Sequence, residues 1–207
     1  MIHTLYHVHD PMCSWCYAFK PTLNELKKHL DENIKIVHVV GGLAAHCDEI
    51  MPKDMQEKIE NIWYEIEENT GAKFNHDFWK NCKPRRSTYL ACQATILARY
   101  ENKEDEMINA IQEAYYLKAL NPSDNSTLIE LAKQIGMNEK KFEENLKSQK
   151  IEDDLQNELN LRRSLYVKTF PSLILKYKKE TYPINIKYND HEAMLKQIKN
   201  LTENTYF

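Results

Sequence analysis

The first part of the chain has two apolar runs separated by a helical pattern, which predicts a strand–helix–strand unit. Residues 2–8 form an apolar run with β-branched residues, which is typical of a short strand. From Cys13 to about Leu30 the apolar residues recur at helical spacing, and residues 34–42 predict a second buried strand that ends in a Gly-Gly turn. This order favours two parallel strands joined by a crossover helix.

The middle of the chain, residues 43–166, has a mostly helical pattern. Apolar residues at intervals of three and four predict helices over residues 52–69, 86–100 and 151–165. The chain therefore carries a long helical block between its first and last strands.

Polar residues and one glycine mark further helix ends within this block. Asp124 or Asn125 is predicted to cap one helix, and Gly136 to end it in a left-handed turn. Asn138 is then predicted to cap the next helix.

The C-terminal part predicts a β-hairpin followed by a helix. Its strands are expected over residues 172–177 and 182–186, joined through 178–181. A closing helix is expected over residues 189–204, capped near Asn189 or Asp190. The full order is β-α-β, a helical block, then β-β-α, which divides the chain into residues 1–42, 43–166 and 167–207.

Composition narrows the class of protein. Of the 207 residues, 42% are apolar and 29% are charged, which is ordinary for a soluble globular protein. The net charge of −3 and the lack of a Lys/Arg run give no support for nucleic-acid or anionic-membrane partners. No apolar run approaches the roughly 18–20 residues that span a bilayer. No basic segment followed by a long apolar run opens the chain, so we expect a cytoplasmic protein.

Two of the five cysteines form the segment Cys13-Ser14-Trp15-Cys16, at the predicted junction of strand and helix. The positive end of a helix stabilises a thiolate, so we expect the pKa of Cys13 to be lowered. Cys16, one turn later, can attack a mixed disulfide at Cys13. Ser14 can donate a hydrogen bond toward a thiolate, and Trp15 offers an apolar face. The odd number of cysteines does not suggest a secreted disulfide framework, so the pair indicates redox chemistry.

The other reactive side chains give weaker signals. Cys47, Cys82 and Cys92 have no close partner in sequence and are interpreted as packing residues. His9 and Asp10 are expected to be solvated or capping loop residues.

An adjacent aromatic pair, Tyr115 and Tyr116, is expected in the core, with a substrate groove as the alternative.

Two prolines complete a pattern that resembles a known fold. Pro21 lies inside the predicted first helix, five residues after Cys16, and Pro171 directly precedes the third strand. Without the resemblance, these would be the end or a kink of the helix and a trans proline that opens a strand. Together with the cysteine pair they resemble the thioredoxin fold, and the helical insertion resembles its DsbA-like branch. The segment "DPMCSWCYAFKP" is similar to the FrnE-like proteins of the DsbA family, a branch shared with the 2-hydroxychromene-2-carboxylate isomerases and kappa-class glutathione transferases.

The resemblance implies a role for several residues. Cys13 would be the exposed nucleophile and Cys16 the buried resolving thiol. Pro171 would be a cis proline beside them, and Phe170 would present its backbone to an extended substrate. DsbA-type enzymes often have a buried acid where this chain has His7. His7 would then accept a proton from Cys16, or be a strand histidine satisfied by its neighbours.

These observations predict a thiol–disulfide oxidoreductase that acts on protein or small-thiol disulfides together with a redox partner. It would need no cofactor beyond its own disulfide, with glutathione as an optional co-substrate. One alternative is a glutathione-dependent isomerase or transferase of the same branch, whose members generally have serine in place of Cys13.

A second alternative is a zinc site made by Cys13 and Cys16 with His9, Cys82 or Cys92. We rank it last, because a structural zinc site usually shows a second close ligand pair, and we expect no metal ligand among the site residues.

Overall fold

The computed structural model describes residues 2–203 and confirms the predicted order of elements. Its strands and helices are β1 (His3–His9), α1 (Ser14–His29), β2 (Ile34–Val40), α2 (Lys53–Thr70), α3 (Phe78–Asn81), α4 (Tyr89–Arg99), α5 (Glu104–Tyr116), α6 (Asn125–Gln134), α7 (Glu139–Leu146), α8 (Gln149–Ser164), β3 (Ser172–Tyr177), β4 (Glu180–Ile184) and α9 (His191–Glu203). No helix within the described residues has the length and apolar composition that crossing a membrane requires.

The four strands form one sheet in the order β2-β1-β3-β4. β1 and β2 are parallel, while β3 is antiparallel to both β1 and β4. The predicted crossover unit and the predicted hairpin are therefore both present, and they meet at the pairing of β1 with β3. This is the thioredoxin fold that the sequence predicted.

Helices cover both faces of the sheet. α1 and α9 pack on one face, in a core cluster that contains Leu5, Phe19, Leu23, Leu26, Leu173, Leu175, Ile184, Met194 and Ile198. On the other face, Val8, Val39, Val167 and Ile174 pack against residues of α8. Side chains alternate between the two faces along β1, so Leu5, His7 and His9 share the face that α1 covers.

Hydrogen bonds connect the helical block to the end of β2. The Val40 amide donates to Glu158 Oε2 of α8 at 2.6 Å, and the same carboxylate pairs with Arg99 of α4. Arg162 donates to the Gly41 carbonyl at 2.7 Å. One core cluster runs from Val40 into the helices of the block, so the helical residues pack directly on the sheet end.

Predicted helix ends agree with the structure at several positions. Gly136 has φ +76°, as expected for a left-handed helix end. The Asn138 side chain accepts from the Lys141 amide at 2.9 Å, and Asp190 accepts from the Ala193 amide at 2.9 Å. The predicted end of the last helix, at Asn204, lies outside the described residues.

The predicted bounds of β4 and the predicted start of α4 are wrong. β4 begins at Glu180 rather than at residue 182 and ends at Ile184 rather than at residue 186, because the hairpin turn is shorter than predicted and Lys178 adopts φ +56°. α4 begins at Tyr89 rather than at residue 86, because other loops bind the preceding backbone. The Thr88 amide donates to the Ala44 carbonyl at 3.0 Å, and the Ser87 carbonyl accepts from the Ser123 hydroxyl at 2.8 Å.

Candidate redox-active site

The turn between β1 and α1 fixes the position of Cys13. Cys13 occupies the N-cap position of α1, with φ −85° and ψ 118°. Its amide donates to the Asp10 carbonyl at 3.0 Å, and its carbonyl accepts from the Tyr17 amide at 3.0 Å. Cys16 lies in the first turn of the same helix, so both thiols belong to one rigid segment. α1 continues through Pro21 to His29, and the proline does not end it.

The loop before β3 lies against Cys13. The peptide bond between Phe170 and Pro171 is cis, and Pro171 is buried. The Cys13 thiol donates to the Phe170 carbonyl, with Sγ and O 3.7 Å apart. The structure therefore brings together the cysteine segment and the proline segment, which are 157 positions apart in the chain.

Gly41 makes room for the Phe170 ring at the end of β2. A Cβ atom at position 41 would lie 2.1 Å from Phe170 Cε1, which is closer than any real contact. The guanidinium of Arg162 lies 5.9 Å from the centre of the same ring. These contacts hold the residue whose carbonyl binds the Cys13 thiol.

A groove of about 370 Å³ opens over Cys13. Thioredoxin-fold segments form one wall and the helical block forms the other. Its lining residues are Met12, Cys13, Ser14, Trp15, Leu43, Ala44, Met51, Ile59, Ile62, Trp63, Arg85, Arg86, Thr88, Tyr115, Lys168, Thr169 and Phe170. The residues predicted to bind substrate, Ser14, Trp15 and Phe170, all face this groove. Its lining is mostly apolar, with exposed cationic side chains from Arg86 and Lys168.

The prediction that Cys13 is exposed is wrong. Only 7% of Cys13 is accessible, against 3% of Cys16. The prediction did not take account of the helical block, whose residues Ile59 and Trp63 of α2 line the same groove as Cys13. A reactant therefore reaches Cys13 through the groove and not from an open surface.

Cys16 is held in its neutral thiol form. Burial raises the pKa of Cys16 well above its usual value, and the hydrogen bond and charge of Cys13 raise it further. A hydrogen bond with the Asp10 backbone acts in the opposite direction but is outweighed. Cys16 is therefore a poor nucleophile in this state, because the thiolate is the attacking species.

Asp10 is the polar centre of the site. The prediction that it is solvated is wrong, whereas the alternative, that it caps its own turn, is met by its contact with the Met12 amide. Its side chain is fully buried. One carboxylate oxygen accepts from the Met12 amide at 2.8 Å. The other accepts from the Leu43 amide at 2.6 Å, the Thr88 hydroxyl at 2.7 Å and the Cys92 thiol at 3.5 Å. Burial raises the pKa of Asp10, although these donors lower it.

We expect Asp10→Ala to lower the free energy of unfolding by about 3 kcal/mol, because it leaves buried donors from three segments without an acceptor. Urea denaturation measures this loss. Asp77→Ala is the matched control, since that carboxylate is 60% exposed and pairs only with Lys80 on the surface, so its loss is expected to stay within about 0.5 kcal/mol. Equal losses in the two variants would contradict the role of Asp10.

His7 is a buried strand histidine, and its Nδ1 lies 2.9 Å from His38 Nδ1. It is 5% exposed, and it lines a small cavity of about 90 Å³ that Cys16 also lines. Burial lowers the pKa of His7 well below its usual value, and the nearby His9 and His38 lower it further. His9 is also buried, at 1% exposure, contrary to the expectation of a solvated loop residue. Nothing in the sequence predicted that His38 lies beside His7 and His9. The pairing register of β1 and β2 places it there.

The other three cysteines are free thiols away from the groove. Cys92 is buried against Asp10, and Cys82 donates to the Ala119 carbonyl at 3.0 Å. Tyr116 is fully buried as predicted, while Tyr115 is 7% exposed and faces the groove. None of the three cysteines lies beside the Cys13–Cys16 pair in a way that resembles a zinc site.

A thioredoxin-type sheet, a helical insertion and a cysteine pair facing a cis proline define a DsbA-like, thioredoxin-fold protein. The chain belongs to the thioredoxin family, because the family model described as thioredoxin matches residues 6–197. The resemblance to the thioredoxin fold is therefore confirmed.

Individual relatives are distant in sequence. The ClpXP adapter protein SpxH of Halalkalibacterium halodurans is 23% identical over 176 residues, which cover 82% of this chain and 57% of that protein. The chain thus spans little more than half the length of this curated relative.

Solved structures match more of the chain. A candidate protein disulfide isomerase from Nitrosomonas europaea has a TM-score of 0.85 and 21% identity, over 99% of this chain and 100% of that one. The cytosolic disulfide reductase DsbM from Pseudomonas aeruginosa has a TM-score of 0.78 and 19% identity, over 96% of this chain and 100% of that one. At this identity the likeness establishes the fold.

Proposed function

We propose that the protein is a thiol–disulfide oxidoreductase whose reacting groups are Cys13 and Cys16. The observation that carries this proposal is the placement of Cys13. Its sulfur lies at the start of α1, on the floor of an apolar groove, and is hydrogen-bonded to the carbonyl that precedes cis Pro171. Cys16 follows one turn behind, buried and neutral.

The proposed exchange has two steps. The Cys13 thiolate attacks one sulfur of a substrate disulfide, forms a mixed disulfide and releases the other sulfur as a thiolate, which takes up a proton. Cys16 then loses its proton and attacks the Cys13 sulfur, which closes the Cys13–Cys16 disulfide and releases the second substrate thiol. Two electrons pass from the protein to the substrate. One proton comes from Cys16, and the other is the proton that Cys13 released to solvent when it ionised. Run in reverse, the same steps oxidise a substrate dithiol.

The proton of Cys16 needs an acceptor in the second step, and His7 is the candidate that the sequence suggested. His7 and Cys16 line one small cavity. The pKa directions, raised for Cys16 and lowered for His7, keep both groups neutral at rest. Proton transfer therefore accompanies the attack on the mixed disulfide and does not precede it.

The groove favours an extended apolar segment that carries a disulfide, with the Phe170 carbonyl available to pair with its backbone. Arg86 and Lys168 add positive charge, which suits the carboxylates of glutathione as reductant or co-substrate. DsbM, which has the same fold, is described as a cytosolic disulfide reductase and has been solved with GSH. We infer a cytoplasmic setting and a small-thiol redox partner on the same grounds.

Oxidised glutathione is expected to remove two of the five free thiols per chain and to link Cys13 with Cys16. Thiol titration and mass mapping of the cysteine peptides measure this loss. Cys16→Ser is expected to stop at one glutathione joined to Cys13, because the resolving thiol is absent. In the control, Cys82→Ser still loses two thiols. Oxidation that spares the pair, or that consumes other cysteines first, would overturn the proposal.

Direct assays distinguish the proposed oxidoreductase from two other functions. A glutathione-dependent isomerase of the same fold would turn over a hydroxychromene substrate even as the Cys16→Ala variant, whereas an oxidoreductase needs both thiols.

A protein adapter is favoured by one observation, the match to SpxH, whose name describes a ClpXP adapter. Such an adapter would hold a partner in the groove without exchanging disulfides, so its binding would survive the Cys13→Ser and Cys16→Ser substitutions.

A further inference from the structure

Three histidines meet on one face of the sheet, outside the groove. His7 and His9 lie two residues apart on β1 and therefore point to the same side. His38 on β2 is the direct register partner of His7. One ring nitrogen from each residue lies within 4.8 Å of the other two, and this is the one group of three potential metal ligands found among residues 2–203.

The rings are packed closely and in a fixed arrangement. His7 and His9 are stacked, with centroids 4.9 Å apart and planes 7° apart. His38 stands edge-on to both, at 5.1 Å from His7 and 5.4 Å from His9. Strand pairing and burial therefore hold the three imidazoles together before any ligand binds.

The hydrogen bonds of the cluster leave buried nitrogen atoms unsatisfied. Lys27 Nζ lies 3.0 Å from His38 Nε2 and can only donate, which assigns the proton of a neutral His38 to Nδ1. That proton is donated to His7 Nδ1 at 2.9 Å, so His7 carries its own proton on Nε2. The Nε2 atoms of His7 and of His9 are buried and have no hydrogen-bond partner. Buried polar atoms without partners are rare and call for an explanation.

Charges of both signs surround the cluster, and the positive charges of Lys27 and Arg99 add to burial in lowering the pKa of His9 and His38. Three carboxylates, from Asp105, Glu104 and Glu158, face two cations, Lys27 and Arg99. Asp105 Oδ1 lies 3.5 Å from His38 Nε2, which is the place of a carboxylate that supports a metal-bound histidine. Burial lowers the pKa of all three histidines, to about 3 for His38, so the imidazoles are in the neutral form that binds metals.

We propose that His7, His9 and His38 form a binding site for a divalent transition-metal ion of the zinc class. Neutral imidazoles bind Zn²⁺, with Zn–N distances of about 2.0–2.1 Å, which places tetrahedral ligands about 3.3 Å apart. The 2.9 Å between the Nδ1 atoms of His7 and His38 is close to this value. The ion takes the place of the proton shared by these two atoms, and His38 then carries its proton on Nε2 and donates it to Asp105. Lys27, which donates to that nitrogen in the metal-free protein, must then turn to Asp105 alone.

The fourth coordination position opens on a cavity of about 90 Å³, which has room for a water molecule. Cys16 lines the same cavity but does not belong to the histidine cluster. A bound ion occupies the lone pair with which His7 would accept a proton from Cys16, so the two roles of His7 exclude each other. The site differs from the zinc site considered from the sequence, in which Cys13 and Cys16 were ligands, and it departs from the expectation that no site residue binds metal.

Zinc titration of the Cys13→Ser/Cys16→Ser double variant, in competition with a chromophoric zinc indicator, tests the proposal independently of the redox chemistry. We expect one Zn²⁺ per chain, bound as tightly as in the wild type. His9→Gln and His38→Gln are each expected to weaken binding at least about 100-fold in that background, because each removes a direct ligand, whose loss exceeds that of a supporting residue. His29→Gln, on the exposed end of α1, is the matched control and is expected to leave affinity unchanged.

Two further measurements distinguish the loss of a metal ligand from the loss of the fold. Circular dichroism reports whether each histidine variant is folded, and His38, which is less buried than His7 and His9, provides the milder substitution. Co²⁺ bound to the double variant is expected to give visible bands of a tetrahedral nitrogen site. Loss of zinc binding in the double cysteine variant, or equal affinity in the folded histidine variants, would overturn the proposal and assign any zinc to the thiols or to the surface.

Discussion

Cys13→Ser is expected to lower the rate of disulfide reduction, measured with insulin as substrate and dithiothreitol as reductant, by at least about 1,000-fold, to the uncatalysed rate. Serine cannot form a mixed disulfide with the substrate, so Cys16 has no disulfide to attack. The variant therefore loses the whole covalent reaction. The fold should be unaffected, because serine is slightly smaller than cysteine and fits the same place at the start of α1.

The matched control is Cys82→Ser, which removes a half-buried thiol that donates to the Ala119 carbonyl and does not line the groove. It should retain full activity. Cys16→Ser should show a different defect, in which a mixed disulfide accumulates at Cys13 while turnover stops. If Cys13→Ser reduces insulin as fast as the parent, the oxidoreductase proposal fails and the adapter or isomerase readings take its place.

Local signals in the sequence predicted most of the scaffold around this chemistry. The apolar runs, the helical spacing after Cys13 and the proline before β3 each depend on neighbours within one element, so they can be read without knowing the fold. The N-cap at Asn138 and the left-handed Gly136 were predictable for the same reason. The hairpin turn was not, because Lys178 adopts a positive φ that usually signals glycine or asparagine.

The polar interior of the site depends on contacts that the sequence does not display. Asp10 resembles a turn residue, yet its partners lie 33, 78 and 82 positions away, at Leu43, Thr88 and Cys92. Only the docking of the helical block on the sheet end removes this carboxylate from water. The same docking covers Cys13, which is why a thiol predicted to be exposed lies in a groove.

Asp10 also connects the two halves of the site. Its backbone carbonyl fixes the Cys13 amide, while its side chain binds the loop after β2 and the start of α4. The cysteine turn and the helical wall of the groove are therefore held by one residue. A loosening of the helical block would change the access to Cys13 and its backbone position together.

The protein is expected to lose stability steeply as the pH falls below about 6.5, because three buried histidines cannot take up protons while it is folded. Burial lowers the pKa of His7, His9 and His38 in the folded state, whereas the unfolded chain has the ordinary value of about 6.5. The unfolded state therefore binds more protons, and the stabilisation present above pH 6.5 is lost as the pH falls. From pH 7 to pH 5 the three groups together remove at most about 6 kcal/mol, which is comparable to the whole stability of many domains. Asp10 acts in the opposite sense, since its raised pKa favours the folded state at low pH, but it is a single group.

Urea denaturation at pH 5, 6 and 7, in the presence of a metal chelator, measures this dependence. His38→Gln removes one of the three groups and should reduce the slope between pH 6 and pH 5 by about a third, since each histidine contributes about 1.4 kcal/mol per pH unit at most. His29→Gln changes an exposed histidine and should keep the slope of the parent. A slope that is the same in all three proteins would mean that the cluster takes up protons while folded. In that case the histidines would be protonated at mildly acidic pH. A protonated imidazole has no free lone pair, so it could neither accept a proton nor bind a metal ion at that pH.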